Sequence, residues 1–367
     1  MYLRSLYLLN FRNYEEAYFE FGPHLNLICG ANAQGKTSVL EAIHYLMQGR
    51  SFRFHQGSDL IKQGAASFYI EAKFSKHGVE QSLKIGFDGK ERRIIYNHTA
   101  LVSIPSLIGI IPGVTMAPDD INLIKGAPQL RRQFLDLQIA QIDPLYVHHL
   151  TRYSRATRQR NQLLKAKQLL TIESWEHEMG QSAAYLVMQR QKSIEHLQRH
   201  CQEAYCALTA EQEPIAVAYK TALPLSYSAS ELRQYQVSQL QKHRTREMIL
   251  GYTLTGPHKD DVGFLIDAKE TRHFASEGQQ RSYMTAIRLA EWRSLNQLGH
   301  DSPLFLIDDV GISLDQERRQ KLLNQMTQMG QVFLTATDKS LLDHISMPKK
   351  IFHIQKAQIV CETEAKN

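Results

Sequence analysis

Gly30-Ala31-Asn32-Ala33-Gln34-Gly35-Lys36-Thr37 fits the pattern G-x-x-x-x-G-K-[ST] at every fixed position. Just before it, Leu25-Asn26-Leu27-Ile28-Cys29 is a short apolar run that reads as a buried strand. Just after it, Ser38 to Met47 sets Leu40, Ile43 and Met47 on one face of a helix. Gly30 and Gly35 allow a bend that aims the N–H groups of Ala31, Asn32, Ala33 and Gln34 at one point. The positive end of the following helix, at Lys36, Thr37 and Ser38, favours phosphate at that point. Lys36 is the group to reach the β- and γ-phosphates, and the Thr37 hydroxyl the group to join Mg²⁺. The chain therefore reads as a binder of a nucleoside triphosphate, with ATP and Mg²⁺ the expected ligands.

The 367 residues are 43% hydrophobic and 22% charged, the composition of a globular protein with a sizeable core. The net charge of +6 is mild and becomes informative only where it is concentrated. Cys29, Cys201, Cys206 and Cys361 lack the spacing of a zinc site and fit a reducing cytoplasm. Arg4, Asn10 and Arg12 interrupt any signal-peptide core. The most apolar stretch, from Leu101 to Ala117, is too short and too broken by Pro105, Gly109, Pro112 and Gly113 to cross a bilayer. The expectation is a cytoplasmic protein with no membrane partner.

Leu3 to Asn10 and Ala17 to Phe21 read as strands around a turn at Phe11-Arg12-Asn13-Tyr14. From 65 to 103 alternation returns: Phe68, Ile70, Ala72 and Phe74 share one face, and Leu83, Ile85 and Phe87 another. His77-Gly78 and Asp88-Gly89 are hairpin signals, so this stretch reads as an antiparallel sheet. Between Pro144 and Arg246 glycine all but disappears and helical composition takes over, with a helix start at Thr171-Ile172-Glu173-Ser174. Leu304-Phe305-Leu306-Ile307 and Val332-Phe333-Leu334 then suit buried parallel strands flanking a helix at 316–329. The fold class expected is α/β: a head with a mixed core sheet plus an antiparallel hairpin sheet, and an inserted helical lobe. The boundaries drawn are 1–125 plus 253–367 for the head and 126–252 for the lobe.

Asp308 and Asp309 end the second apolar strand. A carboxylate at a strand's carboxyl end, beside a phosphate loop, can hold magnesium with its water shell. Asp308 suits that role, and Asp309 suits polarisation of the attacking water. Ser276-Glu277-Gly278-Gln279-Gln280 precedes a helix, which Ser276 can cap, and Gly278 permits close backbone approach. The order of phosphate loop, long insertion, Ser-x-Gly-Gln, Asp-Asp and Leu314-Asp315 resembles the ABC-type ATPase heads of chromosome-maintenance and DNA-repair proteins. That resemblance implies that Ser276, Gly278 and Gln279 complete the ATP site of a second subunit.

Four further blocks narrow the match. Asn10-Phe11-Arg12-Asn13-Tyr14, Gly49-Arg50-Ser51-Phe52-Arg53, Arg131-Arg132-Gln133-Phe134-Leu135-Asp136 and Gly256-Pro257-His258-Lys259-Asp260 together resemble the RecF family of bacterial DNA replication and repair proteins. The resemblance runs along the whole chain. It implies ATP-driven homodimerisation, binding to DNA at junctions of single and double strands, and recombinase loading with RecO and RecR type partners. Two positions depart from the family pattern: Ser313 stands where Glu is common, and Leu334-Thr335-Ala336-Thr337-Asp338 lacks the histidine of transporter heads, leaving Thr337 as a substitute γ-phosphate contact. Asp309 replaces a transporter's Glu, and its shorter reach implies slow hydrolysis.

Residues 131–170 hold eight basic residues against Asp136 and Asp143, an excess equal to that of the whole chain. Arg131, Arg132, Arg152, Arg155 and Arg158 are candidate phosphate-backbone contacts, since Arg155, Arg158 and Gln162 share a helix face. A solvated basic face is the alternative. Arg50 and Arg53 either link nucleotide state to DNA or form structural ion pairs. Two other functions stay open from sequence: another ABC-type ATPase, of transport or translation, and a scaffold that binds ATP without turnover. A single phosphate loop and no membrane segment weigh against the first.

Overall fold

The computed structural model describes residues 1–53, 56–209, 213–299, 301–309, 315–338 and 347–365. The chain begins with the antiparallel pair β1 (Tyr2–Phe11) and β2 (Tyr14–Glu20) and continues through β3 (Leu25–Cys29) and α1 (Lys36–Gln48). Strands β4 (Phe68–Lys76), β5 (Val79–Phe87), β6 (Arg92–Tyr96) and β7 (Thr99–Leu101) form a meander before β8 (Gly113–Met116). Helices α2 (Asn122–Lys125), α3 (Pro128–Ala140), α4 (Pro144–Ala166) and α5 (Ile172–Thr209) follow, then β9 (Ile215–Lys220) and α6 (Ala229–Leu250). Next come β10 (Asp261–Ile266), β11 (Lys269–Glu270) and α7 (Thr271–Phe274). The order finishes with α8 (Glu277–Leu298), β12 (Leu304–Ile307), α9 (Gln316–Met326), β13 (Val332–Ala336), β14 (Lys349–Gln355) and β15 (Gln358–Ala365).

Two compact units result: residues 1–121, 203–211 and 277–367 in one, and 122–202 and 212–276 in the other. The first unit holds two six-stranded sheets, ordered β2-β1-β4-β5-β6-β7 and β15-β14-β3-β13-β12-β8. The first sheet pairs antiparallel throughout. In the second, β14, β3, β13, β12 and β8 run parallel and β15 returns antiparallel. Every residue of β3, β8, β12 and β13 is buried, which is why β3, β12 and β13 read as short apolar runs and not as alternation. Val39, Ile43 and Leu46 of α1 join Leu6, Phe74, Leu306 and Phe333 from the two sheets in one core. This is the mixed sheet plus hairpin sheet expected of an ABC-type head.

The second unit is helical but also carries a sheet ordered β11-β10-β9. Here the structure corrects the boundary drawn from sequence. Residues 253–276 belong to this unit and not to the head, because β10 pairs along its length with β9, from Asp261↔Lys220 to Ile266↔Ile215. β9 is a six-residue strand inside a helical composition, and its partner lies far along the chain, so no local pattern announced the pairing.

Two buried polar groups mark the interiors. In the second unit Arg160 is 0% exposed and bonds to Glu176 at 3.0 Å, Glu247 at 2.7 Å and the Thr253 hydroxyl at 2.9 Å. Removing it leaves the buried Glu247 carboxylate without its cation, while Glu176 keeps Arg244 at 2.6 Å, so Arg160→Ala should lower unfolding stability by about 3–5 kcal/mol in urea titration.

In the first unit His44 Nδ1 lies 2.8 Å from the Thr115 hydroxyl, and burial lowers the imidazole pKa to about 3. The unfolded imidazole protonates from about pH 6.5 downward while the folded one stays neutral, so stability present above that pH is lost on the way down. Between pH 6.5 and 4 the parent should lose up to about 1.4 kcal/mol per pH unit more than His44→Gln, as read by denaturation across pH.

Candidate functional site

The loop leaves β3 at its carboxyl end and runs into α1 through Gly35, whose φ of 114° belongs to glycine. No side chain caps the helix there, so its first-turn amides are left to the loop. A Cβ on Gly30 would run into the Ile354 carbonyl of β14. Lys36 curls over the loop, its Nζ donating to the carbonyls of Gly30 at 2.7 Å and Ala31 at 2.9 Å. Burial lowers the Lys36 pKa, and the negative charges of Asp309 and Asp308 oppose that shift.

Parallel register brings the acidic strand end beside the loop. Ile307 pairs with Leu334, and two residues on Ala336 pairs with Cys29. Thr37 and Thr335 both donate a hydroxyl to Asp308 Oδ1, each at 2.8 Å. The Thr335 hydroxyl also accepts the Asp309 amide at 2.8 Å. Burial raises the Asp308 pKa, and the two hydroxyl donors pull it back. Asp309 takes a φ of 54°, a sharp turn after β12.

A cleft of about 950 Å³ opens over this arrangement. Of the site residues nominated from sequence, Asn32, Ala33, Gly35, Lys36, Thr37, Ser38 and Asp309 line it. Gly30, Ala31, Gln34 and the buried Asp308 do not. The first two hold Lys36 with their carbonyls, and Gln34 is turned to the β14–β15 hairpin, accepting Lys356 N at 2.6 Å on its side chain and Ala357 N at 2.9 Å on its carbonyl.

Sequence reasoning missed Arg12 and Asn13 at the β1–β2 turn, Asp59, Ile61, Lys62 and Gln63, and Thr335, all of which line the cleft. Arg12 and Asn13 lay inside a block singled out only for its resemblance. The 59–63 segment is brought in by a bridge between Phe11 and Ile61, which no local pattern shows. Thr337 is exposed, and it is Thr335 that meets the Asp308 carboxylate and the Asp309 amide. Ser276 and Gly278 are exposed and Gln279 half-buried at the start of α8, and neither Gly278 nor Gln279 lines the cleft. Ser313 lies outside the described residues.

The basic candidates divide. Arg131 is buried, with both arms of its guanidinium on Asp261 at 2.7 and 3.0 Å, so it is a structural ion pair and not a free DNA contact. Arg132 donates to the Asp260 carbonyl at 2.7 Å, and Arg152 pairs with Glu178. Two of the resemblance blocks, at 131–136 and 256–260, thus prove to be packing partners, further joined by Arg190 between Asp136 at 2.8 Å and Asp260 at 3.2 Å. Arg155 and Arg158 are exposed and make no ion pair among the described residues. Arg50 is exposed, and Arg53 lines the cleft.

The family model described as RecF/RecN/SMC N terminal domain matches residues 2–360. The DNA replication and repair protein RecF of Protochlamydia amoebophila is 57% identical over 353 residues, covering 96% of this chain and 98% of the relative. The chain belongs to the RecF family. A solved structure described as the recombination mediator protein RecF-ATPrS in the RecFOR pathway superposes with a TM-score of 0.89 at 28% identity, covering 98% of this chain and 97% of that one. A Smc head domain from Pyrococcus furiosus, at 14% identity and a TM-score of 0.59 over 100% of this chain and 96% of that one, shares the fold. Membership of the RecF family agrees with the ABC-type head that the two sheets form.

Thr335→Val keeps the shape but removes both bonds around Asp308 and Asp309. It should weaken magnesium-dependent binding of a fluorescent ATP analogue by about 10- to 100-fold, the scale for losing a group that orients a metal ligand.

Proposed function

We propose that the chain is an ATP-dependent DNA-binding protein of recombinational repair and replication restart, whose ATP-bound form is a homodimer on DNA at single/double-strand junctions. The observation that carries this reading is the convergence of Lys36, Thr37, Thr335 and Asp309 on one cleft, with the buried Asp308 carboxylate bonded to both threonines. The cleft belongs to a chain 57% identical to a protein named for DNA replication and repair.

Lys36 and the loop amides would hold the β- and γ-phosphates. The Thr37 hydroxyl and the Asp308 carboxylate, 2.8 Å apart, are hard oxygen donors that fit Mg²⁺. Bound there, the ion supplies charge neutralisation to the phosphates. Asp309 would orient the attacking water, and as the shorter acid it favours slow, DNA-stimulated turnover that times a clamp. Ser276, Gly278 and Gln279, at the accessible start of α8, would complete the pocket of the second subunit. Arg155 and Arg158 remain the basic groups best placed to follow a phosphate backbone, with affinity falling as salt rises.

A solved relative described as acting in the RecFOR pathway supports partners of the RecO and RecR type. No helix among the described residues is long and apolar enough to cross a membrane. The reading assigns the protein to the cytoplasm, with DNA.

Sedimentation with ATP, ADP or no nucleotide on a gapped duplex tests it. We expect a DNA-bound dimer with ATP alone, and a monomer for Lys36→Ala. Asp309→Asn should keep the dimer and lower turnover by about 10²- to 10⁴-fold. A parent protein that stays monomeric with saturating ATP, magnesium and DNA overturns the proposal.

A further inference from the structure

Glu41 is a carboxylate in a place where the core would accept a hydrocarbon. It lies one helical turn beyond Thr37 on α1 and is 0% exposed. One of its oxygens accepts the Ser51 hydroxyl, and the other stands 3.2 Å from Arg12 Nε. Both partners belong to segments that wall the cleft. Ser51 Oγ accepts the Arg53 amide at 2.9 Å, and Arg53 lines the cleft. Arg12 lines it too, and its guanidinium donates to the Asp59 carbonyl at 2.6 Å while its amide bonds to the Leu60 carbonyl at 2.7 Å. The β1–β2 turn and the 51–53 segment are thus fastened by one buried carboxylate that does not itself line the cleft, and Arg12 carries the tie on to 59–60.

Burying a charge costs free energy unless partners offset it, and a neutral side chain of the same volume would hold the helix at least as well. What a carboxylate adds is direction for its cationic partners. We propose that Glu41 is a positioning residue for nucleotide binding, fixing the Arg12 and Arg53 segments so that their guanidinium groups face the phosphate chain alongside Lys36. The inference rests on the nucleotide reading of the cleft. An arginine fork grips phosphate through two parallel hydrogen bonds only when its plane is set beforehand, so loss of the anchor is felt as lost affinity.

The test is a set of titrations with a fluorescent ATP analogue and magnesium, with thermal melting alongside to certify folding. Glu41→Gln and Arg12→Gln should each weaken binding by about 10-fold, the scale of one charge-assisted hydrogen bond. The double variant should lose less than the product of the two single losses, since part of the Glu41 effect runs through the Arg12 guanidinium. Should Glu41→Gln not fold, Glu41→Asp takes its place, paired with Arg12→Gln and read the same way. Lys36→Ala judges the cleft separately. If it abolishes binding while folded Glu41→Gln binds like the parent, or while the losses of the pair multiply, the positioning role is overturned. If Lys36→Ala binds like the parent, the nucleotide reading falls, and this inference with it.

Discussion

One oxygen, Asp308 Oδ1, receives hydroxyls from Thr37 near the start of the chain and Thr335 near its end. Those two bonds join the first turn of α1, the end of β12 and the last residues of β13 around a point that must stay fixed for any chemistry on phosphate. They form only if β12, β13 and β3 lie in one register. A slip by one residue would turn Asp308 to the opposite face and put a core side chain in its place. The unbroken burial of these strands holds the register, since each is packed on both faces. Hydrophobic packing and polar geometry are therefore one constraint here, with the core setting the ångström-scale placement the site needs.

Much of this was legible in the sequence, for a reason particular to the elements concerned. Strand, loop and α1 are contiguous, so spacing alone displays them, and Asp308-Asp309 advertise themselves by ending an apolar run. What stayed hidden depends on pairing over distance. β9 stands between Pro214 and Pro224 in helical company and declares itself only through β10. The 59–63 wall of the cleft arrives by a bridge to Phe11. Thr335 sits inside a buried strand, where a threonine looks like any β-branched core residue until its hydroxyl is seen on Asp308.

The basic stretch at 131–170 shows the limit of counting charges. Arg131 and Arg160 contribute to the excess as fully as Arg155 and Arg158, yet the first two are buried against carboxylates supplied from elsewhere in the unit. Asp261, Glu176 and Glu247 all lie outside the counted window, so the local sum misstated the charge on offer to a ligand. Only residues whose partners are solvent can answer to a phosphate backbone, and on α4 that leaves a narrower stripe than the composition suggested.

The grip of the β14–β15 turn on Gln34 has a consequence for biosynthesis. β3 finds its neighbours β13 and β14 some three hundred residues downstream, and the loop itself is braced by Lys356 and Ala357. A ribosome-tethered chain that has emerged only through its phosphate loop lacks both the flanking strands and the brace. Contacts of such long range form late and leave unpaired strand edges exposed while translation continues. The nascent polypeptide therefore has no finished pocket until Lys356 and Ala357 have left the ribosome.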